Sequence, residues 1–359
     1  MLSSARNRVR RRTRRTQLPP SPLRYDLRVT SAASTIREPA PGAVPTLGAD
    51  TRYWCYGADE GPALILVHGF RGDHHGLEGI ARGLAEGLPE LRILVPDLPG
   101  FGASPAIPGR VHSIELYGEW LRAFAAETAP GGFAVLGHSF GSLVVGAAIA
   151  GGLAPERLIL VNPISAPALA GPKAALTRLA VGYYRAAELL PEGAARALLG
   201  NPVIVRVMSE VMAKTRDPEL RNWIHAQHAA YFSRFSDPST LLQAFRASVS
   251  HTVSEFAPAF TMPTLLIAGE RDDITPLARQ LELQRRVPAA LLRIVPGTGH
   301  LVHYEAVADA VAFAREFLTS PRAGVLREAG TGERGVADRD PGEQEAGGSG
   351  LAGPGRGAA

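Results

Sequence analysis

Gly137-His138-Ser139-Phe140-Gly141 stands between a short apolar, β-rich run at Phe133–Leu136 and a helical pattern at Phe140–Ala150. This is G-x-S-x-G in the strand–turn–helix context that exposes a serine hydroxyl as a nucleophile. So sharp a turn needs small residues at both ends, because side chains at Gly137 and Gly141 would collide with the neighbouring strand or helix. The helix N-terminus beneath Ser139 adds partial positive charge where an oxyanion would form. His138 completes the elbow.

A serine hydroxyl attacks weakly until a base takes its proton. Ten histidines are available, and position selects His300. It lies in Gly297-Thr298-Gly299-His300, just after the last β-rich run, at the sheet edge that carries the elbow. His303 is read as structural or cleft-lining. The base in turn needs a carboxylate to hold its tautomer. The run after Thr264–Ala268 reads Gly269-Glu270-Arg271-Asp272-Asp273-Ile274-Thr275-Pro276. There Asp272 and Asp273 compete, and Asp273 could equally cap the following helix. An oxyanion also asks for two backbone donors. Phe140 supplies one N–H and Phe70, in His68-Gly69-Phe70-Arg71-Gly72, the other, with Gly69 letting the backbone approach. His68 is read as a loop brace. Asp97–Ser104 is glycine-rich but lacks the Gly-Lys-Ser/Thr of a phosphate loop, so it is read as a tight structural turn.

These residues need a scaffold, and the chain alternates as one would. β-rich runs at Thr51–Tyr56, Ala63–Val67, Arg92–Val95, Phe133–Leu136, Arg157–Val161, Thr264–Ala268 and Leu291–Val295 are separated by helical patterns at Gly76–Gly87, Ile114–Glu127, Phe140–Ala150 and Leu277–Val287. A further helix is expected at Tyr304–Leu318. The fold class is α/β: a mostly parallel, doubly wound sheet, with ligands bound outside the carboxyl ends of its strands. From Pro163 to about Ala259 no strand is convincing, and helices are expected at Lys173–Glu188, Pro202–Met212, Pro218–Phe232 and Pro238–Val249. The expected organisation is a core of residues 46–162 and 260–319, a helical cap of residues 163–259 inserted in it, a basic, proline-rich, largely disordered lead-in of residues 1–45, and a disordered tail of residues 320–359. One strand at Tyr25–Thr30 is conceivable within the lead-in.

Composition narrows the function further. The net charge is +4, but residues 1–16 hold seven arginines and no acid, so the remainder carries 4 − 7 = −3. The basicity belongs to a tail without aromatic interleaving, and no nucleic acid is expected as a partner. No secretory signal follows the arginines, since Gln17-Leu18-Pro19-Pro20 replaces an apolar core. No apolar run approaches the ~18 residues of a membrane span. The lone Cys55 excludes an internal disulfide. A cytoplasmic location is the default expectation. No paired carboxylates or His/Cys cluster at metal spacing stand out, so neither metal nor cofactor is expected. The partner expected is a small-molecule substrate, and nothing sets an oligomeric state. Aromatic residues of the cap (Tyr183, Tyr184, Trp223, Tyr231, Phe232, Phe235, Phe245) either line an apolar pocket or pack the cap helices on one another.

Taken in order, His68-Gly69-Phe70, Asp97 to Ser104, Gly137 to Gly141, Gly269-Glu270-Arg271-Asp272 with Pro276, and Gly299-His300 resemble the motifs of the α/β-hydrolase family, over about Thr51 to Leu318. The resemblance implies that Asp272, and not Asp273, is the acid. It excludes the aspartate-nucleophile branches, because position 139 is serine. It also excludes relatives whose acid follows the preceding strand, because Asn162 stands there. What it implies is a serine hydrolase acting on a small carboxylic ester or related acyl compound. A carbon–carbon bond hydrolase or lyase, a cofactor-free perhydrolase and a ligand-binding receptor on the same scaffold are the alternatives. Val307 departs from the family's usual pattern after the histidine, which bears on helix packing.

Overall fold

The computed structural model of the chain describes residues 38–167 and 174–321. The arginine-rich segment, the strand expected at Tyr25–Thr30 and all but the first two residues of the expected tail lie outside the described residues. Among the described residues eight strands form one sheet: β1 (Ala40–Thr46), β2 (Ala49–Gly57), β3 (Ala63–Val67), β4 (Arg92–Pro96), β5 (Phe133–His138), β6 (Arg157–Val161), β7 (Thr264–Gly269) and β8 (Ala290–Val295). Their order is β1-β2-β4-β3-β5-β6-β7-β8. β1 and β2 pair antiparallel with each other, as do β2 and β4, and every pairing from β4 to β8 is parallel.

Strand residues are apolar on both faces because helices cover both. Ile65 and Val67 of β3, Val135 of β5, and Leu158 and Leu160 of β6 enter one core. Their neighbours Leu64, Leu66, Leu136, Ile159 and Val161 enter the other. The alternation follows the two-residue period of a strand. Helices α1 (Glu78–Gly87), α2 (Ile114–Thr128) and α3 (Phe140–Ala150) precede β6. Between β6 and β7 come α4 (Ala174–Glu188), α5 (Glu192–Leu199), α6 (Pro202–Met212), α7 (Pro218–Tyr231), α8 (Pro238–Ser250) and α9 (Val253–Phe256). α10 (Leu277–Arg286) follows β7, and α11 (Val302–Glu305) and α12 (Val307–Thr319) follow β8. Leu121 and Phe124 of α2 and Leu143 of α3 fill the first core. Ile80 and Leu84 of α1, with Ala314 and Phe317 of α12, fill the second.

The sequence places residues 1–45 in an irregular lead-in, and Ala40–Thr46 corrects this by forming β1, paired from Ala40↔Cys55 to Thr46↔Ala49. Leu47 and Gly48 both take positive φ, at 50° and 85°, the two-residue turn that suits strand twist. Pro41 and Pro45 disguise the strand, yet proline is tolerated on an edge, where its missing N–H faces away from the partner. At the other end, the single helix expected at Tyr304–Leu318 breaks at Ala306 (φ −144°, ψ 48°) into α11 and α12. α5 went unforeseen because it is short and hemmed by Pro191 and Pro202, and isolated helices of that length are marginal. Among the described residues, no helix is long and apolar enough to cross a membrane.

Candidate active site

β5 ends at the elbow. Ser139 has φ 52° and ψ −118°, a conformation that costs a non-glycine residue about 1–3 kcal/mol and must be held by its surroundings. Two glycines do the holding. A Cβ on Gly137 would meet the Gly141 carbonyl oxygen at 2.7 Å, and one on Gly141 would meet the Val67 carbonyl oxygen at 2.2 Å. The Ser139 N–H donates to the Val161 carbonyl on β6, and the Ser139 carbonyl accepts from Ser142 N–H. Side chain and helix start are thereby locked at the carboxyl edge of the sheet.

Three side chains from different loops meet there. His300 Nε2 lies 2.8 Å from Ser139 Oγ, and His300 Nδ1 lies 2.7 Å from Asp272 Oδ2. Asp272 follows β7, His300 follows β8, and both are buried. The two aspartates of this loop part company. Asp272 turns inward, whereas Asp273 pairs with Lys214 Nζ at 2.6 Å and does not cap α10, whose N-cap is Pro276.

Asp272 is dense in donors. Its Oδ1 accepts from the N–H groups of Ile274 (2.8 Å) and Thr275 (3.0 Å). Its Oδ2 accepts from Asn162 Nδ2 (2.6 Å) and Thr275 Oγ1 as well as from the imidazole. Burial works to raise this carboxyl, but His300 and the donated hydrogen bonds outweigh it and hold the group far below the ordinary carboxylate range. By sequence alone, Asn162 marks only the absence of a carboxylate after β6. Its backbone has φ 45°, and its amide also donates to the Gly299 carbonyl (3.1 Å), so one side chain braces both loops. Its place directly after β6, at the edge where ligands bind, was the available signal.

The turn after β3 lies against the serine. A Cβ on Gly69 would come within 3.3 Å of Ser139 Cβ and 3.1 Å of His138 Nδ1. Gly72 N–H donates to the Gly69 carbonyl (3.1 Å), closing a turn that contains Phe70 and Arg71. His68 braces it: Nε2 accepts from Leu98 N–H at 2.9 Å, and Nδ1 contacts the Gly69 carbonyl at 2.9 Å. Phe140 begins α3 directly after the serine, and the Phe70 and Phe140 rings meet edge to face at 6.2 Å. Phe70 also touches Phe101, Tyr184 and Phe245, the last two stacked on each other at 3.7 Å.

Behind His300 sit further histidines. His138 packs against His303 with ring centroids 3.9 Å apart, and burial, aided by His300, lowers its pKa to about 3. Burial drives His303 well below its usual value too, and its Nδ1 has no hydrogen-bond partner. Among the described residues, Asp73, His74 and His75 bring three donor atoms within 4.8 Å of one another. Their nitrogens already serve carboxylates: His75 Nδ1 lies 3.0 Å from Asp73, and His74 Nδ1 lies 2.9 Å from Asp97.

Residues 64–315 match the model of the alpha/beta hydrolase family. The chain belongs to that family, and the coarse assignment that goes with it is an enzyme, a hydrolase. Among curated proteins it is similar to the magnesium-chelatase 30 kDa subunit of Rhodobacter capsulatus, 26% identical over 264 residues that cover 71% of this chain and 86% of the relative. It is also similar to the pimeloyl-[acyl-carrier protein] methyl ester esterase of Aeromonas salmonicida, 27% identical over 67% of this chain and 89% of the relative. Among solved structures, a thermophilic esterase from Thermogutta terrifontis shares the fold with a TM-score of 0.61 and 24% identity, over 82% of this chain and all of that one.

Proposed function

We propose that this chain is a serine hydrolase that cleaves a carboxylic ester or related acyl compound through an acyl-enzyme. The observation that carries the reading is the unbroken hydrogen-bonded series Asp272–His300–Ser139, ending on a serine held in a strained backbone. Ser139 Oγ attacks the substrate carbonyl while its proton passes to His300 Nε2. Asp272 stays ionised and keeps the Nδ1 proton in place. The N–H groups of Phe70 and Phe140 receive the negative charge on the carbonyl oxygen. His300 returns the proton to the leaving alcohol, and the acyl group remains on Ser139. Water then attacks that ester, giving its proton to His300, and the acid departs as Ser139 is restored.

The helices between β6 and β7 act as a cap in this reading. Tyr184 and Phe245, packed on Phe70, form an apolar wall suited to an acyl chain or ring. Similarity to a methyl ester esterase supports ester over amide. The test combines fluorophosphonate labelling of Ser139 with a panel of nitrophenyl esters of varied chain length beside a vinylogous diketone. The expected result is a labelled serine and ester turnover that Ser139→Ala abolishes. Diketone cleavage without ester cleavage would move the assignment to carbon–carbon bonds. A second reading, an accessory subunit with little turnover, is favoured by similarity to a protein named as a chelatase subunit. An unlabelled Ser139 would turn the argument towards it.

A further inference from the structure

Arg71 stands next to Phe70, in the turn that lies against Ser139. It is 1% exposed, although a guanidinium is always charged. Among the described residues no carboxylate pairs with it. All its partners are neutral. Nε donates to the Phe232 carbonyl (3.0 Å), Nη1 to the Tyr184 hydroxyl (3.2 Å), and Nη2 to the Leu199 carbonyl (2.7 Å) and the Ser233 hydroxyl (3.4 Å). The guanidinium carbon also lies 5.5 Å from the centre of the Phe232 ring.

These acceptors come from three places in the inserted helices: α4, the end of α5, and the segment just past α7. A buried charge without a counter-ion is unfavourable, and an apolar side chain would fill the same volume without that cost. What the guanidinium alone supplies is a rigid planar set of donors that grips several segments at once. The backbone points the same way. Arg71 has φ +64° at the third position of the Gly69–Gly72 turn, where such an angle ordinarily calls for glycine. A strained turn persists only where its surroundings hold it. Beside the His68 brace, the side chain's hydrogen bonds to the inserted helices add to that hold.

We infer that Arg71 is a positioning residue that ties the oxyanion donor at Phe70 to the docked state of the inserted helices. The inference rests on the serine hydrolase reading above. With the grip intact, the turn keeps its shape and the Phe70 N–H faces the reacting carbonyl. With the grip lost, the turn relaxes and the donor is withdrawn, while Ser139, His300 and Asp272 stay in place.

Arg71→Met and Arg71→Lys in the full chain, assayed on whichever nitrophenyl ester the wild type hydrolyses, test this. Arg71→Met keeps the volume without donors, and Arg71→Lys keeps the charge without the planar fork. Both are expected to lower kcat on the order of 10²–10³-fold, the usual effect of losing one oxyanion donor, with KM changed by less than about threefold. Affinity for an aryl boronic acid, whose tetrahedral adduct on serine occupies the oxyanion position, should fall in parallel. In Arg71→Ala, added guanidinium ion at millimolar concentration should restore part of kcat. Folded variants with wild-type kcat and boronate affinity would overturn the inference. So would variants whose loss merely tracks lowered melting temperature and resists guanidinium rescue. Should Arg71→Met fail to fold, the lysine variant and the rescue decide alone. A wild type that neither labels at Ser139 nor turns over esters sinks the hydrolase reading itself, whereas an active wild type with indifferent variants sinks only the role of Arg71.

Discussion

Asn162 and Asp272 are joined by a 2.6 Å hydrogen bond between the ends of adjacent strands, and the same amide holds the Gly299 carbonyl one residue before His300. Removing it leaves a buried carboxylate and a buried carbonyl each short of a donor. Asn162→Ala is expected to lower stability by about 1–3 kcal/mol and to lower kcat more than it raises KM. Urea denaturation and steady-state kinetics on the same preparation measure both. An unchanged denaturation midpoint would count against this account of the amide.

The neighbouring aspartates make an internal control. Asp272→Asn should fold and lose turnover by about 10⁴-fold, the magnitude known for the serine-protease triad. Asp273→Asn weakens a partly exposed pair with Lys214, of the kind worth at most ~1 kcal/mol. Its kcat should stay within about threefold of wild type. Equal losses in the two variants would mean that the acid had been chosen wrongly.

Two glycines of the site should respond differently to one added methyl. Gly141→Ala drives a Cβ to 2.2 Å from a backbone oxygen of β3, which cannot step aside, and soluble expression should collapse. Gly69→Ala brings its Cβ to 3.1 Å from His138 Nδ1 and 3.3 Å from Ser139 Cβ, a tight fit against side chains and not an overlap with backbone. It should fold and show reduced kcat. Soluble yield and thermal melting distinguish the two.

How much of this was readable in advance varied with the kind of physics involved. The sharp turn at Ser139, the place of His300 and the strands from β3 to β8 announce themselves through local rules: two-residue periodicity, obligatory glycines, and loops at one edge of a parallel sheet. β1 escaped because its prolines mark it as irregular unless its place on an edge is known. Asn162, Thr275 and Arg71 escaped for a different reason. Their roles are contacts at sequence distances of 110, 3 and up to 162 residues, and an amide, a hydroxyl or a guanidinium has many possible partners. Residue type alone left Asp272 and Asp273 level; the family resemblance favoured Asp272, and it is Asp272 whose carboxylate lies against His300.

Stability should fall in mild acid. His138, His228 and His303 are all buried, with pKa values lowered from 6.5, to about 3 for His138 and about 4 for His228. Below pH 6.5 the unfolded chain binds protons that the folded chain refuses, so folding free energy drops as the pH moves from there towards 4. Asp272 acts in a lower window. Its depressed carboxyl contributes fully above its ordinary value of 3.8, and that contribution is lost only as the pH falls further. Urea midpoints at pH 7.5, 6 and 5 should decline steadily, and His228→Gln should flatten the decline. Constant midpoints across that range would contradict the assignment of neutral, buried imidazoles.

The prolines of β1 bear on what the sheet can do to its neighbours. An open strand presents a row of amides to which another chain can add itself. Pro41 and Pro45 have none to offer, so an incoming strand would find gaps at two positions four residues apart. The amino-terminal rim is thus a poor template for aggregation, and copies of this chain have little means of zipping together along it.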